Sequence, residues 1–433
     1  IRNRKVGPVL ATALVASNMV GSGIFLLPAT LAAVGSITVI GWLLGTAGAL
    51  LIAVVLAKLS QVSPQPGGPC AYADEALGPY FGFQTSALYW LSCLTGNAAV
   101  AIAVTGYLAS FLPQLAQPLP AAFATTGIIW LLTAVNIFGP RRVCQTETLA
   151  IIVGLVPILL VAIGGWWYFD GRLFAASWNV QHQPALRVVP ESLVLLFWAF
   201  LGIESASIAS AVVDNPRRNV PLATIAGVLV AALIYVTSCT VIMGLIPAAT
   251  LARSTAPFAD AVREVLGPVA GGLVALAALI KAAGTLAGWI LVTAQTGKAG
   301  ADRGMFPSIF GRVDRHGIPV LNLLLTAVVG TVMAFATMSP TLGEQFGELI
   351  EVSVLLSMLL YVYACIAVLL YRRWLPAERS LEGYRLPAGA ALLFCVLMFA
   401  YAGVKLLLVT AVLMLATIPL YGLRARPREP SLG

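Results

Sequence analysis

Charge is what this chain has least of. Only 10% of its 433 residues are Asp, Glu, Lys or Arg, while 60% are hydrophobic, and the mean hydropathy is +0.94. Soluble domains carry about 25% charged residues, so the composition excludes a soluble globular protein and points to an all-α integral membrane protein. Histidine is nearly missing: His182 and His316 both fall in polar connecting segments, which argues against a His-based metal site. The six cysteines, Cys70, Cys93, Cys144, Cys239, Cys365 and Cys395, include no CxxC pair and lie mostly in apolar runs. They read as small core residues, not as a disulfide framework or metal ligands. No nucleophile–base pair or phosphate-binding glycine loop falls at membrane depth, which argues against an enzyme and against a cofactor. A cleavable signal pattern is also lacking, since Arg2, Arg4 and Lys5 lead straight into a full-length span.

Long apolar runs are what the chain does have. A helix crossing a bilayer takes about 20 apolar residues, and twelve candidate spans follow: 7–34, 37–61, 79–112, 118–139, 143–169, 190–213, 220–247, 267–299, 318–338, 346–371, 387–404 and 406–423. Lysine and arginine placement sets their orientation. With the N-terminus inside, nineteen basic residues fall on the inner side and five on the outer, and Lys281 lies within a span. Both termini are therefore expected in the cytoplasm of a cell whose plasma (bacterial inner) membrane holds the protein. The same asymmetry accounts for the net charge of +8 without a nucleic-acid partner.

Two spans are interrupted at mid-depth. The first carries Ser17-Asn18-Met19-Val20-Gly21-Ser22-Gly23-Ile24-Phe25, and the sixth carries Phe200-Leu201-Gly202-Ile203-Glu204-Ser205. A glycine costs a helix interior about 1 kcal/mol relative to alanine, and freed backbone groups in hydrocarbon cost several kcal/mol each unless protein or a water-filled cavity satisfies them. Glycines that merely let a neighbouring helix approach are the plain alternative. The spacing favours a site: five spans separate the breaks, so two halves of opposite orientation are expected, and paired interruptions of inverted halves mark transporter binding sites. This divides the chain into a first repeat over 1–169, a second over 170–371, and two further helices with a cytoplasmic tail over 372–433. N–H groups around Ser22 and Gly23 suit a carboxylate. Carbonyls near Trp198 and Leu201 suit an ammonium group, so the pair describes a receptor for an amino acid.

Aromatic and charged residues at mid-depth refine that reading. Trp198 stands at the second break, and Tyr89, Trp90 and Trp289 fall near the middle of their spans; core packing is the default for each, yet a desolvated Trp face attracts a cation by about 2 kcal/mol. Trp166, Trp167 and Tyr168 read as interfacial anchors. Intramembrane charge usually faces a cavity or a partner. Glu204, just past the second break, is a candidate to carry a coupling proton or to oppose a cationic substrate, with structural pairing as the alternative. Lys281 lies eight residues before Trp289, about 12 Å along a helix. It is expected to bind an acidic group, to stand in for a metal ion, or to pair with a carboxylate such as Glu351.

These residues resemble the amino acid–polyamine–organocation (APC) superfamily, and within it the basic amino acid/polyamine antiporters that include the bacterial arginine/agmatine antiporter. The likeness rests on Lys5-Val6-Gly7, Asn18 to Pro28, Tyr89-Trp90, Asn136-Ile137-Phe138-Gly139-Pro140, Ala176-Trp178-Asn179-Val180, Trp198 to Ser207, Asn215 to Pro221 and Gly288-Trp289. Their order and spacing hold over nearly the whole chain. The resemblance implies the leucine-transporter-like fold of five plus five inverted helices, twelve transmembrane helices with helices 1 and 6 discontinuous, and commonly a homodimer. It places the substrate α-carboxylate on the backbone at Ser22 and Gly23 and the α-amino group on carbonyls near Trp198 and Leu201. Trp289 would stack on the distal cationic group, with Asn97, Cys93 and Ser353 around it. Trp198 would be the central gate, Tyr89 and Glu204 the inner gate, and Tyr361 part of the outer closure.

Two departures bear on the substrate. Cys70 stands where the arginine/agmatine antiporter has a tyrosine, so acid sensing through that residue does not transfer. Lys281 stands where that relative has a small residue. At ~6 Å and an effective dielectric near 20, like charges cost about 3 kcal/mol, so an unneutralised Lys281 disfavours a dication. The expected function is thus secondary active transport of an amino acid, as exchange for an amine or another amino acid by alternating access. Proton-coupled uptake with Glu204 or Lys281 as the titrating group, including of neutral or acidic substrates, is the alternative. A channel would not need paired broken helices, and a sensor would usually append a soluble domain.

Overall fold

A computed structural model describes residues 7–63, 68–138, 150, 152–208, 213–371 and 381–422. Cys144 and several arginines of the charge count, such as Arg141, Arg142, Arg372 and Arg373, lie outside the described residues. Every regular element among the described residues is helical. In chain order these are α1 (Pro8–Met19), α2 (Leu27–Ala32), α3 (Thr38–Val62), α4 (Pro69–Leu77), α5 (Pro79–Ala109), α6 (Pro118–Phe138) and α7 (Ile152–Tyr168). They continue with α8 (Gly171–Ala176), α9 (Ala185–Phe197), α10 (Ser205–Ile208), α11 (Pro216–Met243), α12 (Ala248–Leu251) and α13 (Pro257–Leu266). The last are α14 (Pro268–Asp302), α15 (Val320–Ala336), α16 (Leu342–Leu369), α17 (Arg385–Tyr401) and α18 (Val404–Gly422). Eight helices among the described residues are long and apolar enough to cross a membrane, which makes this a multi-pass membrane protein. The spans at 7–34 and 190–213 are each split at the expected interruptions, into α1 and α2 and into α9 and α10.

In lipid, helices associate through close packing and interhelical hydrogen bonds, not through a hydrophobic drive. Two packing groups result. One joins α1 and α3 to α11, with α9 against α3; the other joins α5, α6, α14 and α15. Small residues make the first group tight. A Cβ at Gly227 of α11 would lie 2.6 Å from Val15 Cγ1 of α1, and one at Gly41 of α3 would lie 2.5 Å from Leu196 Cδ1 of α9. Between the groups, α16 packs along α5 and also touches α3 and α9. The peripheral α18 is tied in by Gln84 of α5, whose Nε2 donates to Thr417 Oγ1 at 2.9 Å while its Oε1 accepts from Tyr363 of α16.

Both interruptions have their backbone groups partly satisfied by neighbours. The first helix closes with Val20 N donating to Ala16 O at 2.7 Å. Gly21 is extended at φ −82°, ψ −157°, and a 3-10 turn over Ser22–Phe25 follows. Tyr107 of α5, fully buried, donates its hydroxyl to Phe25 O at 3.0 Å. At the second break a 3-10 turn over Trp198–Phe200 gives way to Leu201 at φ −62°, ψ 137°. Leu201 N donates to Trp198 O at 3.1 Å, so that carbonyl is not left idle as the sequence reading expects. Gly202 has φ +106°, a backbone region that a side chain strains by about 1–3 kcal/mol. A Cβ on Gly202 would sit 3.6 Å from Asn18, so the two breaks face one another.

Gly202→Ala is expected to lower stability by about 1–3 kcal/mol, read as a drop in the thermal unfolding midpoint of the purified protein. Gly127→Ala, whose Cβ would meet nothing within 4 Å, should show no such drop.

Candidate functional site

The facing breaks open onto a cavity with about 590 Å³ of atom-free space, lined from the first break, α5, the second break, α14 and α16. It brings together most of the residues singled out from the sequence: Tyr89, Cys93, Asn97, Trp198, Leu201, Glu204, Trp289 and Ser353 all line it. Gly21 lines it too, and the Ser22 and Gly23 backbone forms the first turn after Gly21.

Trp198 lies against α5 because Gly96 has no side chain there; a Cβ on Gly96 would be 3.1 Å from Trp198 Cη2. Its other side meets Phe346 edge-on, with ring centroids 6.4 Å apart. Asn97 is buried and donates Nδ2 to Thr293 Oγ1 at 2.8 Å, while Thr293 donates to Trp289 O at 2.7 Å. Those bonds fix the amide, whose Oδ1 has no hydrogen-bond partner among the described residues. An unsatisfied buried acceptor costs about 1–3 kcal/mol, so this oxygen is poised to accept from a donor entering the cavity. Three hydroxyls also meet on the cavity wall: Ser92 Oγ lies 2.9 Å from Ser353 Oγ and 2.6 Å from Ser357 Oγ.

Glu204 is the one carboxylate among the lining residues and is 3% exposed. Tyr361 donates its hydroxyl to Glu204 Oε2 at 2.7 Å. The resemblance assigns Tyr361 to the outer closure and Glu204 to the inner gate; this hydrogen bond puts the two in a single layer. Lys281 and Glu351 do not line the cavity. Glu351 is two residues from Ser353, hence about 200° around α16, and faces away from the space that Ser353 lines. No ion pair between Lys281 and Glu351 forms among the described residues. Lys281 is 1% exposed and donates Nζ to Thr285 Oγ1 at 3.0 Å.

Sequence reasoning missed Thr285, Ser92, Gly96 and Ser357, all of which line the cavity. The signal for Thr285 was present: Lys281, Thr285, Trp289 and Thr293 recur every four residues along one face of α14. Ser357 stands one turn beyond Ser353 in the same way. Ser92 and Gly96 carry no such mark, because serine and glycine are common in packed membrane helices.

Tyr361→Phe is expected to destabilise the protein by about 1–3 kcal/mol by leaving a buried carboxylate short of a donor. In a double-mutant cycle with Glu204→Gln the two losses should fall short of additivity by about 1 kcal/mol. Strict additivity in thermal unfolding would show that the hydroxyl does not stabilise the carboxylate.

With this geometry in view, the likenesses to known proteins take on meaning. A family model described as amino acid permease matches residues 6–423. The cadaverine/lysine antiporter of Escherichia coli K12 is 40% identical over 368 residues, covering 84% of this chain and 83% of that protein. The putrescine transporter PotE of the same strain is 36% identical over 372 residues, 86% of this chain and 85% of the relative. PotE of Haemophilus influenzae is 33% identical over 371 residues, 85% of each. The match runs through both helix breaks and every helix that lines the cavity, so the chain belongs to the amino acid permease family of the APC superfamily and is a membrane transporter, not an enzyme.

Proposed function

We propose that this transporter exchanges a basic amino acid for an amine, or for a second amino acid, by alternating access across the bacterial inner membrane. The observation that carries this is the cavity itself. It combines a buried carboxylate, Glu204, and an amide oxygen without a partner, Asn97 Oδ1, with two tryptophans, between two broken helices. Such a lining recognises ammonium groups, and the relatives' names, cadaverine/lysine antiporter and putrescine transporter, are in keeping with it.

In this reading the substrate α-carboxylate meets the backbone at Ser22 and Gly23, and its α-amino group meets carbonyls of the second break near Trp198 and Leu201. The distal ammonium reaches Asn97, Cys93 and Ser353, with Trp289 over its stem. Trp198 gates the cavity, and Tyr89, Glu204 and Tyr361 close the layer beneath it. The group built on α1, α3, α9 and α11 rocks against the group of α5, α6, α14 and α15. We also read twelve spans, two inverted five-helix repeats over 1–169 and 170–371, both termini in the cytoplasm and a homodimer as belonging to this function. Two breaks of like construction, each a helix of 12 or 13 residues followed by a 3-10 turn, support the repeat. Proton-coupled uptake with Glu204 as the titrating group is the second reading, favoured by that carboxylate's burial.

Counterflow in proteoliposomes decides between them. Exchange predicts that internal lysine or a diamine drives uptake of labelled lysine without a pH gradient, and that Asn97→Ala weakens substrate binding about tenfold, near the 1.4 kcal/mol expected of one hydrogen bond. Uptake that needs a pH gradient and no internal substrate supports the second reading. No transport of any amino acid or amine, by exchange or under a pH gradient, would refute both.

A further inference from the structure

Lys281 has no part in the substrate contacts just described, yet it is one of the largest fully buried side chains in the protein. Its burial is built in. A Cβ at Gly154 of α7 would lie 2.2 Å and 2.3 Å from Lys281 Cβ and Cγ, so the facing glycine leaves the notch through which the lysine stem passes. The ammonium then reaches one turn along α14 to Thr285 Oγ1, 3.0 Å away. Thr285 lines the cavity beside the first break, and its Cγ2 would be 3.4 Å from a Cβ on Gly21.

The hydroxyl of Thr285 is the second observation. Threonines elsewhere on α14 donate back to the preceding turn, as Thr293 does to Trp289 O at 2.7 Å and Thr296 to Val292 O at 2.8 Å. Thr285 instead accepts from the ammonium, and no acceptor for its own proton is present among the described residues. A hydroxyl that accepts from a cation is polarised towards donating onward. It does so at the end of the cavity where the chain breaks at Gly21, far along α14 from the Asn97–Thr293 pair.

We infer that Lys281 and Thr285 form a positively charged donor relay that sets substrate preference, favouring molecules with an α-carboxylate over the amines that lack one. This rests on the proposed amino acid exchange and sharpens it. Thr285 is the contact, and Lys281 is a positioning residue that acts through it and through its charge. A substrate carboxylate at the first break gains a donor and an attractive charge. A diamine places a second cation, or nothing, at the same end. The exchange is thereby skewed: the amino acid is held more tightly than its decarboxylation product.

The test is a matched pair that differs only in the carboxylate, lysine and cadaverine, as competitors of labelled lysine exchange in proteoliposomes. The readout is the ratio of their inhibition constants. Lys281→Met, neutral and of similar length, should lower the cadaverine-to-lysine ratio about tenfold. Thr285→Val, which keeps the shape and removes the hydroxyl, should lower it about threefold. A loss of folding or of overall rate moves both constants together and leaves the ratio alone. Ratios within twofold of wild type in both variants, with exchange intact, overturn the inference while the proposed function stands. If Lys281→Met does not assemble, the Thr285→Val ratio alone decides. Failure of the wild type to exchange either compound overturns the function and the inference with it.

Discussion

Everything in this protein depends on the intolerance of hydrocarbon for an unpaired backbone amide or carbonyl. A helix can stop in mid-membrane only where something else takes over its hydrogen bonds. Here two helices stop at the same place and meet, Gly202 against Asn18. The Tyr107 hydroxyl takes one orphaned carbonyl, tight 3-10 turns take others, and the rest of the gap is a cavity. The cavity is thus what is left of a packing problem solved incompletely. The two helix groups exist to hold the two breaks in register, and α16 spans the seam between them.

The same constraint explains the distribution of polar side chains. Most serines and threonines in the long helices bond to the carbonyl one turn earlier, as Thr85, Thr105 and Thr326 do, and so contribute nothing to recognition. Some that do otherwise lie at the cavity: Ser92 bonds to Ser353 and Ser357 across α5 and α16, and Thr285 takes the Lys281 ammonium.

Much of this was legible in the sequence. Apolar length and the near lack of charge give the membrane class, and glycines next to polar residues at mid-span locate both breaks. Tyr89, Trp198, Glu204 and Trp289 could be picked out because large aromatic or charged groups are anomalous at that depth, whereas Asn97 came only from the family resemblance. What could not be read were relations between helices. Nothing in the order of residues says that Tyr361 bonds Glu204, or that Glu351 turns away from the cavity; both follow from the rotation of α16, which its neighbours set.

The hydroxyl triangle on α5 and α16 has one consequence for how this protein tolerates change. Ser92 reaches two partners one turn apart, and Ser353 also donates to Ser92 O at 2.8 Å. The arrangement is lopsided: losing the Ser353 or the Ser357 hydroxyl leaves Ser92 bonded to the other, whereas losing the Ser92 hydroxyl removes the partner that both share. Sequence drift can therefore pass through either corner on α16 more easily than through the one on α5. A point-mutation survey would register this wall chiefly at Ser92.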